Sequence, residues 1–337
     1  MNVLAIQLKR IGDLVLTAPA LRAMRTGGAR VTLAVHEGTA ALLPALVGFS
    51  VDEALVYRAA GGNFALWRRL ARGGWDASVD FTGRDRSALM TGLAHAPRRV
   101  IARPALRKGG WRRWVYNAVV DSSVRERHTV DHYLDHLRGI GISAVEDGPA
   151  LNLPAEHLAQ ADAALADAGI DGPFAVVHPG SAREEKYWVP ERWAEIIRHL
   201  SRERGLPCVL TGGKGDPFED AHLAQIRAAL AADADLCADF AGRLDLLTLA
   251  ATLSRAAMCV SVDSGPMHIA AAFGRPQIAL FGPTNPFHWQ PRHPQTVVVR
   301  AGDGDRQLQK LGANAQGTPT ADISTQAVID AIEHLLL

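Results

Sequence analysis

The chain has 337 residues, of which 48% are hydrophobic and 21% are charged. This length suits two ordinary domains, and the composition is that of a globular protein, which excludes an extensively disordered chain. No apolar run approaches the roughly eighteen residues of a membrane-spanning helix, and MNVLAIQLKR reaches charge too early for a secretory signal, so we predict a cytoplasmic protein.

The charge balance differs between the two halves. Residues 1–150 carry 21 Lys and Arg against 13 Asp and Glu, a net charge of +8, whereas the whole chain carries +1. A one-signed surface attracts ligands of opposite charge, so the first half is predicted to face an anionic partner. An Arg-rich solvated surface explains the asymmetry equally well. Nucleic acid is disfavoured, because the basic residues accompany no recognition helix or aromatic strand pattern.

The first half alternates short apolar strands with amphipathic helices, as parallel sheets covered by helices do. A strand at 3–8 leads through a Gly12-Asp13 turn into a helix at 14–25, and a helix at 130–139 closes this half. Further strands are predicted at 31–36, 54–59, 77–83 and 99–103.

Residues 147–156 hold two prolines and no hydrophobic periodicity, which predicts a domain boundary. The second half then repeats the scheme of the first. Its predicted strands are at 174–180, 207–213, 258–265 and 276–284, and its helices at 191–205, 246–256 and 266–274. We expect a flexible connection at 301–322 and a final helix at about 325–337.

The repeated order of strand, polar loop and helix predicts an α/β fold of two facing Rossmann-like domains with parallel sheets, over 1–150 and 151–337. The final helix is predicted to complete this fold. The sequence leaves open whether that helix packs back towards the first domain. Ligands of such sheets bind beyond the carboxyl ends of the strands, where helix N-termini point free N–H groups at anions. Polar loops at strand ends are therefore the candidate sites.

The first such loop, Lys9 to Asp13, follows the opening strand. Gly12 would let the backbone turn sharply and hold Asp13 at the mouth of a cleft, where its carboxylate could take a proton from an acceptor hydroxyl. A helix N-cap is the commoner task of Asp in this context, and the spacing alone favours the cap.

The second loop follows the strand at 174–180 and groups a small hydroxyl with two cations, Ser181, Arg183 and Lys186. Such a set before a helix suits a diphosphate, whose leaving charge must be neutralised. The neighbouring aromatic residues are expected to pack in the core rather than stack on a ligand: Tyr187, Trp188 and Trp193.

The third loop, Asp263-Ser264-Gly265, ends a strand and opens a helix. The N–H groups of Met267 and His268 would then form an anion site built from backbone donors. A purely structural histidine is the usual alternative for His268.

Several classes of catalytic, nucleotide-binding and metal site are disfavoured because their sequence motifs are missing. The sequence has no GxxxxGK[ST], HExxH, GxSxG or GxGxxG motif, and no pair of close carboxylates suggests a divalent metal. The three cysteines lack CxxC spacing and are predicted to be buried free thiols: Cys208, Cys237 and Cys259. No metal and no cofactor are therefore expected.

Taken together, the loops resemble the ADP-heptose:lipopolysaccharide heptosyltransferases, the inverting glycosyltransferases of family 9. The resemblance runs through RIGDLVLTAPALRAMR, DFTGRDRSA, HPGSAREEKYWVPERW, FAGRLDLLTLAATLSRA and VSVDSGPMHIAAAFGRPQIALFGPT, in this order. It implies the GT-B fold, with the nucleotide-diphosphate sugar, as substrate, held mainly by the C-terminal domain and the acceptor by the N-terminal one. It also implies metal-independent transfer to a lipopolysaccharide core-type acceptor.

The resemblance assigns roles to the loop residues. Asp13 matches the family's general base, which replaces the N-cap interpretation, and Lys186 matches its phosphate-contacting lysine, with Ser181 and Arg183 nearby. Glu219 is similar to the residue that holds the donor ribose, and adenine would lie near the Gly242-Arg243-Leu244 turn. The diphosphate and sugar would contact Asp263, Ser264, Gly265, Met267 and His268.

Basic residues of the first half are the predicted acceptor contacts: Lys9, Arg10, Arg84, Arg86, Arg112 and Arg113. Residues 98–113 hold seven Lys and Arg and no acidic residue, so peripheral contact with the inner membrane is a further expectation. Trp111 and Trp114 could enter the membrane interface, although tryptophans in an amphipathic helix are more often core.

Two other classes of protein share this architecture. A sugar-nucleotide epimerase or hydrolase would consume donor without acceptor, and a carrier or sensor would bind the nucleotide sugar without turnover. Asp13 disfavours the carrier, because binding alone needs no general base.

Overall fold

A computed structural model describes residues 1–107, 110–144, 150–301 and 317–336. The chain divides into two compact units, residues 1–152 and 153–337. Each unit is built around one parallel six-stranded sheet. The predicted connection at 301–322 falls largely outside the described residues.

The first unit pairs all six strands in parallel. Its strands are β1 (Asn2–Gln7), β2 (Arg30–His36), β3 (Glu53–Tyr57), β4 (Ala77–Asp80), β5 (Arg98–Ala102) and β6 (Ala118–Val120). Its helices are α1 (Ile11–Thr26), α2 (Phe64–Arg72), α3 (Asp85–Leu93) and α4 (Thr129–His136).

The second unit begins with a helix and then repeats the alternation. Its strands are β7 (Ala175–His178), β8 (Cys208–Leu210), β9 (Cys237–Asp239), β10 (Met258–Val262), β11 (Gln277–Phe281) and β12 (Thr296–Arg300). Its helices are α5 (Ala155–Asp167), α6 (Pro190–Arg198), α7 (Pro217–Leu230), α8 (Leu246–Arg255), α9 (Gly265–Ala272), α10 (Pro286–Trp289) and α11 (Thr325–Leu336).

The two sheets have the same topology. The strand order is β3-β2-β1-β4-β5-β6 in the first and β12-β11-β10-β7-β8-β9 in the second. Both follow the 3-2-1-4-5-6 order of Rossmann folds when each unit is numbered from its own first strand. The predicted α/β fold with two Rossmann-like parallel sheets is therefore confirmed.

The strands are continuous apolar runs because helices cover both faces of a parallel sheet. In the second unit Trp188 and Trp193 are fully buried and meet edge to face, with ring centroids 5.1 Å apart. The indole N–H of Trp188 donates to the carbonyl of Ile323, 2.9 Å away, which ties the loop before α6 to the segment before α11. The predicted packing role of both tryptophans is confirmed.

The structure corrects one local prediction. Helix α1 begins at Ile11, so Gly12 and Asp13 lie in its first turn, and Arg10 occupies the N-cap position. Gly12 is not among the described glycines with positive φ. A sharp turn is therefore unnecessary at Gly12, because β1 passes into α1 through the segment before it.

The final helix stays close to the sheet of its own unit. Helix α11 packs on β12, β11 and α6. The three cysteines are free thiols, with Cys208 and Cys259 buried and Cys237 half-buried. Burial raises the pKa of Cys237 and Cys259 to about 12, so both thiols stay protonated and unreactive at neutral pH.

Candidate active site

In each unit, predicted site residues lie beside the point where the strand order of the sheet reverses. The strand order reverses between β1 and β4 in the first sheet and between β7 and β10 in the second. Ligands of open α/β sheets bind at the carboxyl edge beside such a switch point. Asp13 follows β1 and Arg84 follows β4, while Lys186 follows β7 and Asp263 follows β10.

The Asp13 carboxylate lies at this edge with one oxygen engaged. The Tyr133 hydroxyl donates to Oδ1 over 2.8 Å, and Lys9 Nζ lies 3.8 Å from the same oxygen. Among the described residues, no hydrogen bond to Oδ2 is found, and the Asp13 side chain is 16% exposed. The carboxylate is thus anchored on one side and accessible on the other.

Burial and charge fix the protonation of the groups around Asp13. Burial, reinforced by the Asp13 carboxylate, raises the pKa of Tyr133 well above its ordinary value, so the phenol keeps its proton and acts as a donor. Burial lowers the pKa of Lys9, and the Asp13 and Asp80 carboxylates partly oppose this effect. Lys9 Nζ also donates to the Tyr133 oxygen over 3.2 Å.

A second buried carboxylate shapes the loop after β4. Asp80 accepts the Tyr116 hydroxyl at 2.5 Å and the backbone N–H groups of Thr82 and Gly83 at 2.8 and 3.0 Å. Burial raises the pKa of Asp80, and these hydrogen bonds oppose the effect. The Thr82 hydroxyl accepts the N–H of Leu8, which links this loop to the end of β1.

The predicted acceptor contacts divide into exposed and engaged residues. Lys9 belongs to the Asp13 cluster described above. Arg112 is largely buried, donates to the carbonyl of Gly83 at 2.9 Å and pairs with Asp85 at 3.3 Å, so it supports the loop after β4. The remaining four side chains are exposed at the surface of this unit: Arg10, Arg84, Arg86 and Arg113.

In the second unit, two predicted donor contacts meet directly. Lys186 Nζ donates to Asp263 Oδ2 over 2.6 Å and to the Asp263 carbonyl over 3.0 Å, with side chains 13% and 8% exposed. Neighbouring strands β7 and β10 bring them together, because each residue follows the carboxyl end of its strand. A nearly buried cation therefore lies at this switch point.

Arg183, the other cation of the loop after β7, does not join the pair of Lys186 and Asp263. Arg183 Nε donates to Glu185 Oε1 over 2.7 Å, and this pair lies at the surface. Ser181, by contrast, is buried. Burial lowers the pKa of His178, at the end of β7, to about 4, and its Nδ1 lies 2.9 Å from the Thr211 hydroxyl, so a neutral imidazole joins the ends of β7 and β8.

Glu219 packs against backbone at the end of β8. Its Oε1 accepts the N–H of Gly213 over 2.7 Å. A Cβ on Gly180 would come within 2.0 Å of that oxygen, and one on Gly213 within 2.9 Å of Oε2. Glycine at these two positions therefore leaves the room that the carboxylate occupies.

The N-terminus of α9 lacks a side-chain cap. Ser264 is the N-cap residue, with no side-chain cap hydrogen bond, and no hydrogen bond of its buried hydroxyl is found among the described residues. A helix start of this kind offers its N–H groups to an anion. Met267 packs its side chain on Ala279 and Phe281, so only its backbone can serve such a ligand.

Sequence reasoning missed the tyrosines that hold Asp13 and Asp80. Tyr133 lies 120 residues from Asp13 on α4, and Tyr116 lies 36 residues from Asp80, just before β6. Neither tyrosine directly follows the carboxyl end of a strand, so no local signal marked them.

The described parts of the chain, 1–107, 110–144, 150–301 and 317–336, show neither a membrane-spanning helix nor a metal cluster. No helix there is both long and apolar enough to span a membrane. Nor do three or more His, Cys, Asp or Glu side chains cluster there as a metal site would require.

Comparison with known proteins identifies the family. The family model of glycosyltransferase family 9 (heptosyltransferase) matches residues 63–315. Lipopolysaccharide heptosyltransferase 3 of Escherichia coli is 24% identical over 333 residues, which cover 96% of each chain.

Two solved structures share the fold. A family 9 glycosyltransferase from Veillonella parvula has a TM-score of 0.81 at 24% identity, with 99% of this chain and 97% of that chain covered. The ADP-heptose lipopolysaccharide heptosyltransferase II of E. coli has a TM-score of 0.78 at 22% identity, with 100% and 98% covered. With the family model matching three quarters of the sequence, the chain belongs to glycosyltransferase family 9, the heptosyltransferases.

Proposed function

We propose that this enzyme transfers a heptose from ADP-heptose to an anionic, lipopolysaccharide core-type acceptor, with inversion at the anomeric carbon. Membership of the heptosyltransferase family supports the reaction class, and the name of the E. coli relative supports the donor. One observation carries the proposal: one switch point holds a carboxylate with an accessible oxygen, and the other holds a nearly buried lysine beside an uncapped helix.

The first unit serves the acceptor. Asp13 Oδ2 takes the proton of the acceptor hydroxyl while the hydroxyl oxygen attacks the anomeric carbon of the donor sugar. Exposed arginines at the same edge, Arg84 and Arg86 after β4, suit a phosphorylated or acidic sugar.

The second unit serves the donor. As the new bond forms, the bond from the anomeric carbon to the diphosphate oxygen breaks, and ADP leaves with the electron pair. Lys186 and the N–H groups at the start of α9 neutralise the charge that develops on this oxygen. The Lys186 ammonium shares its hydrogen bonds between Asp263 and the diphosphate in this state.

The remaining contacts to the donor are proposed at the carboxyl edge of the second sheet. Glu219, fixed by the Gly213 N–H, accepts from the ribose hydroxyls, and adenine lies near the Gly242-Arg243-Leu244 turn. Ser181 and Ser264 offer hydroxyl groups to the diphosphate, and His268 lies in the first turn of α9. Since Lys186 and α9 supply the positive charge, we propose a transfer that continues in the presence of EDTA.

The direct test measures ADP release from ADP-heptose with and without a lipopolysaccharide core acceptor. Release that requires acceptor, and an anomeric configuration inverted in the product, supports the proposal. Donor consumption without acceptor would instead indicate the epimerase or hydrolase, and binding without turnover would indicate a carrier. Thermal shifts with ADP-, UDP- and GDP-sugars identify the base, with the largest stabilisation expected from the ADP sugar.

A second part of the proposal concerns the membrane that carries such acceptors. Trp111 and Trp114 lie in a single turn of 3-10 helix and are 49% and 82% exposed, so the expectation of core tryptophans is wrong. The turn is too short to bury an amphipathic face. Arg113 and Arg107 beside them are exposed as well. We propose that this surface contacts anionic lipid at the cytoplasmic face of the inner membrane.

Sedimentation with vesicles tests the membrane contact separately from catalysis. The enzyme should pellet with vesicles containing phosphatidylglycerol and stay in solution with vesicles of pure phosphatidylcholine. The variant Trp111→Ser/Trp114→Ser should lose the pelleting, while Phe218→Ser, which removes a 59% exposed aromatic of the second unit, should keep it. Equal pelleting of all three proteins would contradict the contact.

A further inference from the structure

The contacts of Asp13 point to residues that the reaction scheme above does not use. Tyr133 is fully buried on α4, and its hydroxyl both donates to Asp13 Oδ1 and accepts from Lys9 Nζ, at 2.8 and 3.2 Å. A hydroxyl that accepts one hydrogen bond has its own proton directed away from that donor. Here the proton is directed at the carboxylate.

We propose that Tyr133 and Lys9 are positioning residues for Asp13, which fix the rotation of the carboxylate so that Oδ2 alone receives the acceptor proton. This inference rests on the proposed role of Asp13 as the general base. A carboxylate held by one oxygen keeps its second oxygen in a defined direction, and general-base catalysis requires such a position within hydrogen-bond reach of the reacting hydroxyl.

The rigidity of Tyr133 supports this role. Its ring meets Phe81 edge to face at 5.6 Å between centroids and lies 6.3 Å from His136 on the same helix. The main chain of Asp13 is held as well, because its carbonyl accepts the Thr17 hydroxyl, which in turn accepts from the Gln7 amide. Both the donor and the backbone of the carboxylate are therefore fixed from the core side.

The charged and titratable groups around the cluster come from four elements. Lys9 follows β1, Asp80 ends β4, Arg84 precedes α3, and His132 and His136 lie on α4. Burial lowers the pKa of His132 to about 2 and of His136 to about 4, so both rings are neutral at the pH of an assay. Neither ring therefore adds charge beside the Asp13 carboxylate.

The first experiment replaces Tyr133 with phenylalanine, and Tyr57→Phe is the matched control. Tyr57 is also a buried tyrosine of the first unit, but its ring packs on Trp67 and Arg86, and among the described residues its hydroxyl makes no hydrogen bond to Asp13. Tyr133→Phe should lower kcat about 10- to 100-fold, the range for losing a hydrogen bond to a charged group. The KM for the donor should stay unchanged, because the proposed donor contacts are in the second unit and Tyr133 is in the first.

A double-mutant cycle separates positioning from a structural effect. In an Asp13→Asn background, where single turnovers are followed with radiolabelled donor, removing the Tyr133 hydroxyl should cost no further activity. An equal loss in both backgrounds, or a wild-type kcat in Tyr133→Phe, would overturn the inference.

Lys9→Met keeps the test decisive if Tyr133→Phe does not fold. It removes the donor on the other side of the hydroxyl, so kcat should fall. Wild-type behaviour in Lys9→Met and in any folded Tyr133→Phe would refute the inference while Asp13→Asn is inactive. Wild-type turnover in Asp13→Asn would instead refute the proposed function itself.

Discussion

The two units of this enzyme share a strand order but differ in the chemistry at their switch points. Beside β1 and β4 lies a carboxylate with a phenol and an ammonium behind it. Beside β7 and β10 lie a lysine, paired to an aspartate, and an uncapped helix. The sheet thus fixes where a ligand binds, while a few loop side chains fix what happens to it.

The net charge of each half does not match the ligand or catalytic group proposed for it. The first half carries +8, so the remainder of the chain, with a total of +1, carries −7. The proposed site for the anionic diphosphate lies in the acidic half, and the proposed general base lies in the basic half. In the proposed scheme, diphosphate binding therefore depends on nearby donors and not on the summed charge of the domain, which solvent and salt screen.

The largest effect should come from the first switch point. Asp13→Asn should lower kcat about 10³-fold or more, because the amide cannot take a proton from the acceptor. Calorimetry should find donor binding unchanged. Asp52→Asn, in the same unit but just before β3, is the control and should keep its turnover, since its partners are Arg25 and the Val31 N–H. Full activity of Asp13→Asn would show that the first switch point does not supply the general base, and the proposed difference between the two switch points would fail.

A smaller effect, measured here on donor binding, is expected at the second switch point. Lys186→Met should weaken ADP-heptose binding about 10- to 100-fold, because a charge-assisted hydrogen bond to the diphosphate is lost. Arg227→Met removes a cation from an exposed pair with Asp239 and serves as control in the same calorimetric titration. If Lys186→Met binds normally, the helix start alone neutralises the diphosphate.

Acidification should destabilise both units. Burial lowers the pKa of His136 in the first unit, and of His178 and His222 in the second, to about 4. An unfolded histidine titrates near 6.5, so the unfolded state binds more protons than the folded state between these values. Each histidine should therefore lower the free energy of unfolding by up to about 1.4 kcal/mol per pH unit as pH falls from 6.5 to 4.

Urea unfolding at a series of pH values measures this slope. His136→Gln should flatten it for the transition of the first unit, and His178→Gln for that of the second. A slope that both variants leave unchanged would mean that these imidazoles are protonated in the folded enzyme.

The smallest effect is expected at the ribose contact. Glu219→Gln should weaken donor binding only about threefold to tenfold, because the amide oxygen can still accept from Gly213 while its charge is lost. Glu191→Gln, exposed at the start of α6, is the control and should bind like the wild type. A loss larger than that of Lys186→Met would place the main donor anchor at the ribose instead of the diphosphate.

Strand-end loops were predictable and their partners were not. Lys186 and Asp263 are 77 residues apart, yet both were found, because each follows an apolar strand and parallel strands end at one edge. Helices α2, α3, α5 and α7 were missed, because their surface faces are too polar or Ala-rich to stand out. Glu219, at the start of α7, was predicted through the family resemblance and not through a local pattern.

By itself, the sequence determined the alternation of strands and helices, the two Rossmann-like sheets and the family, because hydrophobic periodicity and strand-end motifs are local properties of the chain. Only the tertiary structure decided that Tyr133 holds Asp13, that Arg112 supports a loop and that Trp114 faces solvent. These outcomes depend on packing between residues far apart in sequence, and no local pattern carries that information.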